Sequence, residues 1–150
     1  MPGDRVHRPC RTPRVGAHPD GVALQNTVVA AVLGSRLHGL LSGSTALVRY
    51  TGRRTGRVVQ TPTQYARDGL GVVILVGRPE RKTWWRNFHD ERDLDLLLAG
   101  HWTPMTARAV VGSDDPVLAH QLLETYRRRF PRAVSGLRAQ DAVLVRCRPR

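Results

Sequence analysis

Between Val22 and Leu41 the apolar residues recur at Leu24, Val28, Val32, Leu33, Leu37, Leu40 and Leu41, close to the spacing of one helix face. This predicts an amphipathic helix ending at Ser42-Gly43, where glycine supplies a left-handed cap. Such a helix either packs across a sheet or docks on a membrane surface. Beyond it the period shortens. "TALVRYTG" reads as a strand, a basic turn follows, and "VVQTPTQYAR" alternates as a second strand. Pro62 inside that second run has no N–H to donate, which predicts an edge position, a bulge, or a place where the backbone faces a ligand. "RDGLG" is a hairpin signal, and the unbroken apolar run "VVILVG" after it predicts a central strand buried on both faces. Two hairpins in series predict an antiparallel meander.

The pattern then breaks. "RPERKTWWRNFHDER" is a charged loop leading into a short helix-like segment with two adjacent tryptophans. "DLDLLLAG" and "WTPMTARAVVG" predict a further hairpin turning at Gly100-His101. "DDPVLAHQLLETYRRRF" is a marked helix, with Asp114 or Asp115 as cap, Pro116 in the first turn and Arg127, Arg128 and Arg129 at the negative end of its dipole. "DAVLVRCR" closes the chain as a strand. Five or six antiparallel strands with two or three helices define an α+β protein, and they predict a small barrel with helices packed outside.

A chain of 150 residues has the size of one domain. Residues 1–20, rich in proline and arginine and poor in apolar side chains, predict a flexible basic tail, leaving 21–150 as the single folded domain. No run reaches the roughly 18 apolar residues of a membrane-spanning helix. The first residues lack an apolar segment of the kind that marks secretion, so a cytoplasmic location is expected, with membrane association only through the first helix. Cys10 and Cys147 are expected to be reduced thiols. The net charge of +12 favours anionic partners. Because Lys82 is the only lysine, the excess is almost wholly arginine, and charge alone does not choose between a nucleic acid and a small anion.

No catalytic constellation stands out. The histidines are scattered without metal-ligand spacing, and nucleophile elbows, Walker loops and dinucleotide fingerprints are missing from the sequence. What remains is a set of groups suited to gripping a ligand. In "TGRRTG" the glycines permit tight backbone, Thr55 offers a hydroxyl, and the guanidinium forks of Arg53 and Arg54 match phosphate. The same stretch also reads as a polar hairpin turn that happens to be basic. "KTWWRNF" adds Lys82 and Arg86 as cations, Trp84 and Trp85 as flat surfaces, and Asn87 as donor and acceptor for a ring edge; at least one tryptophan also reads as a core residue. Together these suit a planar, anionic ligand, or the stacked bases of a single strand.

With "YTGRRTGRVVQTPTQYARDG", "VVILVG" and "KTWWRNF" in place, the sequence from about Leu37 to Val111 resembles the small deazaflavin-dependent nitroreductase and quinone-reductase family of the flavin/deazaflavin oxidoreductase superfamily. The resemblance implies a split β-barrel of the FMN-binding, pyridoxamine-oxidase-like type. It also implies coenzyme F420, a deazaflavin with a phosphate and a polyglutamate tail, as cofactor, FMN being the alternative, and hydride transfer to a quinone, nitroaromatic or enone. On this resemblance Arg53, Arg54 and Thr55 sit at the phosphate, and Val59, Gln60, Thr61, Pro62, Thr63 and Gln64 run along the ribityl chain and ring. Leu75, Val76, Gly77 and Arg78 offer strand-end backbone to the ring edge, and Lys82, Thr83, Trp84, Trp85, Arg86 and Asn87 close the pocket. No side chain is assigned to catalysis and none to a metal. A homodimer is expected from related folds.

Three positions depart from the family pattern. Val59 stands where members tend to carry an arginine, which leaves Arg57 to replace that charge. Val76-Gly77 replaces a common Ala-Ser pair and removes a hydroxyl. Phe130, Arg132 and Ala133 stand where nitroreductases carry tyrosines on the substrate side. Two other readings stay open: a non-catalytic carrier of flavin, deazaflavin or tetrapyrrole on the same fold, and a nucleic-acid binder, which is not the expected partner.

Overall fold

The computed structural model describes residues 43–150. The tail expected over 1–20 and the helix expected over 22–41 lie outside the described residues. The strands are β1 (Thr45–Thr51), β2 (Val58–Gln64), β3 (Ala66–Asp68), β4 (Gly71–Leu75), β5 (Arg92–Leu98), β6 (His101–Val111) and β7 (Val143–Pro149). One α-helix is described, α1 (Pro116–Arg129), with short 3-10 segments at Trp84–Phe88, Pro131–Val134 and Ala139–Asp141.

The strands form one antiparallel sheet of order β2-β1-β5-β6-β7-β4-β3. The expected meander is corrected here. β2 and β3 were read as one strand lying beside β4, but they occupy opposite edges of the sheet, separated in sequence only by Tyr65. One residue spans the two edges only if the sheet curls until they approach each other. The corner is pinned because Tyr65 N–H donates to the Ser44 carbonyl at 3.0 Å and the Tyr65 ring is buried. The result is a split half-barrel. Pro62 lies on β2, the edge strand, where its missing N–H costs no ladder bond to a further strand.

Alternation along the strands supplies the barrel core. Ala46, Val48 and Tyr50 of β1, Val72 and Ile74 of β4, Leu94, Leu96 and Leu98 of β5 and Val145 and Cys147 of β7 all point inside. The intervening positions Val73 and Leu144 turn outward, where the Ala119, Leu122, Leu123 and Tyr126 stripe of α1 covers them. This is why "VVIL" is apolar throughout: both of its faces are buried. Asp115 caps α1 by accepting from Leu118 N–H at 3.0 Å, with Pro116 in the first turn. The β5–β6 turn falls on Ala99-Gly100, one residue earlier than expected, because both central residues adopt positive φ (48° and 87°) and Leu98 pairs with His101.

Candidate functional site

The basic turn is tightly closed. Gly52 N–H donates to the Arg57 carbonyl at 2.8 Å and Gly56 N–H to the Gly52 carbonyl at 2.9 Å, while the Thr55 hydroxyl accepts from Arg57 N–H at 3.3 Å. Gly52 is buried, and a Cβ there would lie 2.8 Å from Thr55 Oγ1; Gly56 has φ of 65°. Both glycines are therefore required by the turn's shape. Arg53, Arg54, Thr55 and Arg57 stand exposed on it, and none of the three arginines enters an ion pair among the described residues.

Asn87 joins this turn to the tryptophan segment. Its side-chain oxygen accepts Arg53 N–H at 2.8 Å, and its amide nitrogen donates to the Trp84 carbonyl at 2.8 Å. In a 3-10 segment residues three apart share a face. Asn87 thus faces the turn, while Trp85 and Phe88 are buried in the barrel end and the Trp84 ring packs against the same core, edge-on to Phe88 with centroids 6.1 Å apart. Trp85 also donates its indole N–H to the Pro79 carbonyl at 3.1 Å, and Phe88 meets Tyr50 edge-on with centroids 5.3 Å apart. Trp85 is a core residue, as one of the two readings held. Trp84 is half-buried, and Arg86 is exposed with its guanidinium 5.5 Å from the Trp85 ring.

A cavity of about 390 Å³ opens at the far end of β2. Six residues expected from the sequence converge on it: Pro62, Thr63 and Gln64 of β2, Leu75 at the end of β4, Gly77 just beyond it, and Lys82. Lys82 is returned to this position by a turn in which the Arg78 carbonyl accepts from both Arg81 N–H (3.0 Å) and Lys82 N–H (3.1 Å). Arg78 holds a positive φ of 54° there, so its part in the site is carried by its backbone. Ala133 also lines the cavity, as the resemblance expected of that segment, whereas Phe130 and Arg132 do not.

Other expected positions lie elsewhere. Val59 pairs with Tyr50 and packs against the barrel core, which accounts for an apolar side chain there and leaves exposed Arg57 as the neighbouring cation. Val76 is buried in the same core, its N–H donating to the Val143 carbonyl at 2.9 Å. Gln60 and Thr61 are half-buried on β2, and Gln60 keeps a buried Oε1 without a partner among the described residues. Thr83 is exposed, preceding the 3-10 segment.

Two lining residues were not anticipated from sequence. Thr45 opens β1 and is paired in register with Gln64; its hydroxyl is buried and has no hydrogen-bond partner among the described residues. Tyr126 ends the buried stripe of α1, and burial pushes its phenol up to about 12, so it stays protonated. The stripe spacing marked Tyr126 as buried, but nothing local marked it as facing a cavity. A second cavity, of about 200 Å³, borders Arg49, Asp95, Asp93 and Arg150. Its charges are already paired, with Arg49 to Asp95 at 3.0 Å and Arg150 to Asp93 at 3.0 Å, and Trp102 covers the Arg49 guanidinium at 4.0 Å.

β2 connects the basic turn to the larger cavity over about 20 Å of extended backbone, and the segment from Gly77 to Asn87 connects them by a second route. One end carries cations with no ion pair among the described residues, and the other offers a cleft with hydroxyls, a lysine and apolar walls. That donor set fits a cofactor with an anionic tail and a flat ring.

The curled sheet and this cleft define the split-barrel class of cofactor-binding proteins. Among solved structures the chain is similar to the heme storage protein HutZ from Vibrio cholerae (18% identity, TM-score 0.51, covering 76% of this chain and 87% of that one). It is also similar to a domain-swapped dimer (12%, 0.56, 87% and 100%) and to a protein of unknown function from Agrobacterium tumefaciens (21%, 0.51, 92% and 59%). These likenesses show the fold. No curated protein gives a significant sequence match. The sequence model of the F420H(2)-dependent quinone reductases matches residues 22–143, and the chain belongs to that family. It is accordingly an oxidoreductase whose cofactor is the deazaflavin F420.

Proposed function

We propose that this protein passes hydride from reduced F420 to a small organic oxygen acceptor, with quinones ahead of nitroaromatics and enones. The observation that supports this reading is the Asn87 clasp, which ties the cationic turn to the tryptophan segment that begins two residues after the cavity-lining Lys82. Arg53, Arg54 and Arg57 hold the phosphate and its anionic extension, and β2 runs beside the ribityl chain. Lys82, Gly77 and the Thr63-Gln64 strand end border the ring. The cofactor supplies the hydride when bound. The protein positions ring and acceptor, which explains why no nucleophile or acid–base pair is needed. Two copies assemble as a homodimer in this reading.

Titrating the purified protein with oxidised F420 and, separately, with FMN at moderate salt tests it directly. Saturable micromolar binding of F420, followed by quinone-dependent oxidation of reduced F420, is the expected result. Binding without turnover would favour a carrier. Binding of neither cofactor would end the oxidoreductase reading for this chain, and affinity for an oligonucleotide that collapses steeply with salt would favour a nucleic-acid partner.

A further inference from the structure

The outer face of β6 and β7 carries three arginines, Arg108, Arg146 and Arg148, that belong neither to the cationic turn nor to the lining of the larger cavity. Val145 and Cys147 point into the barrel core and Ala107 and Ala109 pack there too, so alternation turns these arginines outward. The register places Arg108 directly opposite Arg146, and Arg148 opposite Thr106 in the next pair on the same face. Residues directly opposite have Cβ atoms about 5 Å apart, and diagonal neighbours about 7 to 8 Å. Like charges so placed repel, which costs the sheet stability unless an anion joins them. Asp68 accepts from Arg146 Nε at 2.9 Å and holds that guanidinium from one edge. Arg108 and Arg148 are exposed, and neither enters an ion pair among the described residues. The half-buried Thr106 adds a hydroxyl opposite Arg148. Arg150, further along β7, is already committed to Asp93 at 3.0 Å, and Asp93 of β5 is paired in register with Thr106. The patch is thus bounded by a carboxylate on each side, Asp68 from β3 and Asp93 from β5.

We propose that Arg108, Arg146 and Arg148 form a second anion site, on the outer face of the sheet, that takes a compact and multiply charged anion of the diphosphate class. Guanidinium forks match phosphate oxygens in pairs, and neighbouring forks on one patch of sheet suit a ligand with more than one negative charge. The flanking carboxylates decide its size. β5 and β3 lie four strand spacings apart in the sheet, about 19 Å. A diphosphate group fits well inside that span, whereas a polynucleotide or a lipid surface would lay further phosphates against Asp68 and Asp93 and be repelled by them. Because none of the three arginines lines the larger cavity or stands on the turn, occupation of this site and cofactor binding are separable.

The test uses the full chain without cofactor, inorganic pyrophosphate as the probe, and calorimetry at moderate salt. Arg53→Ala with Arg54→Ala first removes the turn as a competing anion site, and Arg108→Gln with Arg148→Gln is then added to that background. We expect the turn variant to keep a saturable pyrophosphate site and the added glutamines to weaken it at least about tenfold, since two charge-assisted contacts are lost. Without pyrophosphate, the glutamines are expected to leave the denaturation midpoint unchanged or to raise it, because the cross-strand repulsion is relieved. A turn variant that binds no pyrophosphate, or whose binding survives the two glutamines, overturns the site. Loss of binding together with a lower denaturation midpoint overturns it as well, assigning the arginines to the fold. Binding of the turn variant to phosphatidylglycerol vesicles or to an oligonucleotide in preference to pyrophosphate would overturn the compact ligand in favour of a surface or a polymer. None of these readouts uses F420, so the outcome is independent of the oxidoreductase reading.

Discussion

The side-chain oxygen of Asn87 accepts the backbone N–H of Arg53 at 2.8 Å, while the other end of the same amide donates to the Trp84 carbonyl at 2.8 Å. Two stretches that read separately as a basic turn and a tryptophan segment are thus one structural unit. Asn87→Ala removes both bonds, and each is worth about 0.5 to 1.5 kcal/mol. We expect a loss of about 1 to 2 kcal/mol in unfolding free energy and a roughly tenfold weaker F420 affinity, because the arginines lose their fixed base. Denaturant titration and fluorescence titration check the two effects. Unchanged affinity with reduced stability would mean that the clasp serves only the fold.

Arg53 and Arg54 are exposed and have no ion pair among the described residues, so their removal costs the fold little. The double substitution Arg53→Ala with Arg54→Ala is expected to weaken F420 binding by several kcal/mol, at about 1.5 to 3 kcal/mol for each charge-assisted contact, with a melting temperature close to wild type. Isothermal titration with parallel thermal melts measures both. An affinity equal to wild type would reduce the turn to a mere hairpin connection.

Gly77 and Gly112 make opposite predictions. A Cβ on Gly77 would meet nothing within 4 Å, and Gly77 lines the cavity, so Gly77→Ser should alter stability by no more than about 0.5 kcal/mol while changing the acceptor KM. A Cβ on Gly112 would fall 1.8 Å from the Ala139 carbonyl oxygen, at the point where Gly112 N–H donates to the Ala142 carbonyl at 2.8 Å. Gly112→Ala is therefore expected to cost about 1 to 3 kcal/mol or more, read from the denaturation midpoint. A stable Gly112→Ala protein would show that the segment Ala139–Asp141 can withdraw from β6.

Alkaline pH should destabilise the fold through its buried acids. Tyr126 and Cys147 are both pushed up to about 12 by burial, and burial raises Tyr50 as well. A raised acid binds its proton more tightly when folded, so its contribution is fully present below the unfolded value and falls as pH rises through the folded one. For Tyr126 the window runs from about 10 to about 12. Unfolding free energy measured from pH 9 to 12 should decline less steeply in Tyr126→Phe than in wild type. Parallel slopes would show that the phenol is not desolvated in the folded state.

Much of the fold was legible locally. Short β-rich runs marked β1, β5 and β7, the unbroken "VVIL" run marked a central strand, and Asp115-Pro116 marked the start of α1, because side-chain preference, capping and backbone restriction act within a few residues. The turn glycines and the "KTWWRNF" segment were likewise visible, and the structure supplies their physical meaning. The β2–β3 run was misjudged as one strand, because a bend at Tyr65 is decided by which edges find partners and carries no local signature.

By itself, then, the sequence determined the elements, the cationic turn and the family-like combination of motifs. Only the tertiary structure decided that β2 and β3 occupy opposite edges, that Asn87 ties Trp84 to Arg53, and that Thr45 and Tyr126 border one cavity. Element identity follows from period, which each segment carries in its own residues. Closure follows from burial and hydrogen bonding between residues far apart in the chain, and for those no single stretch holds the signal.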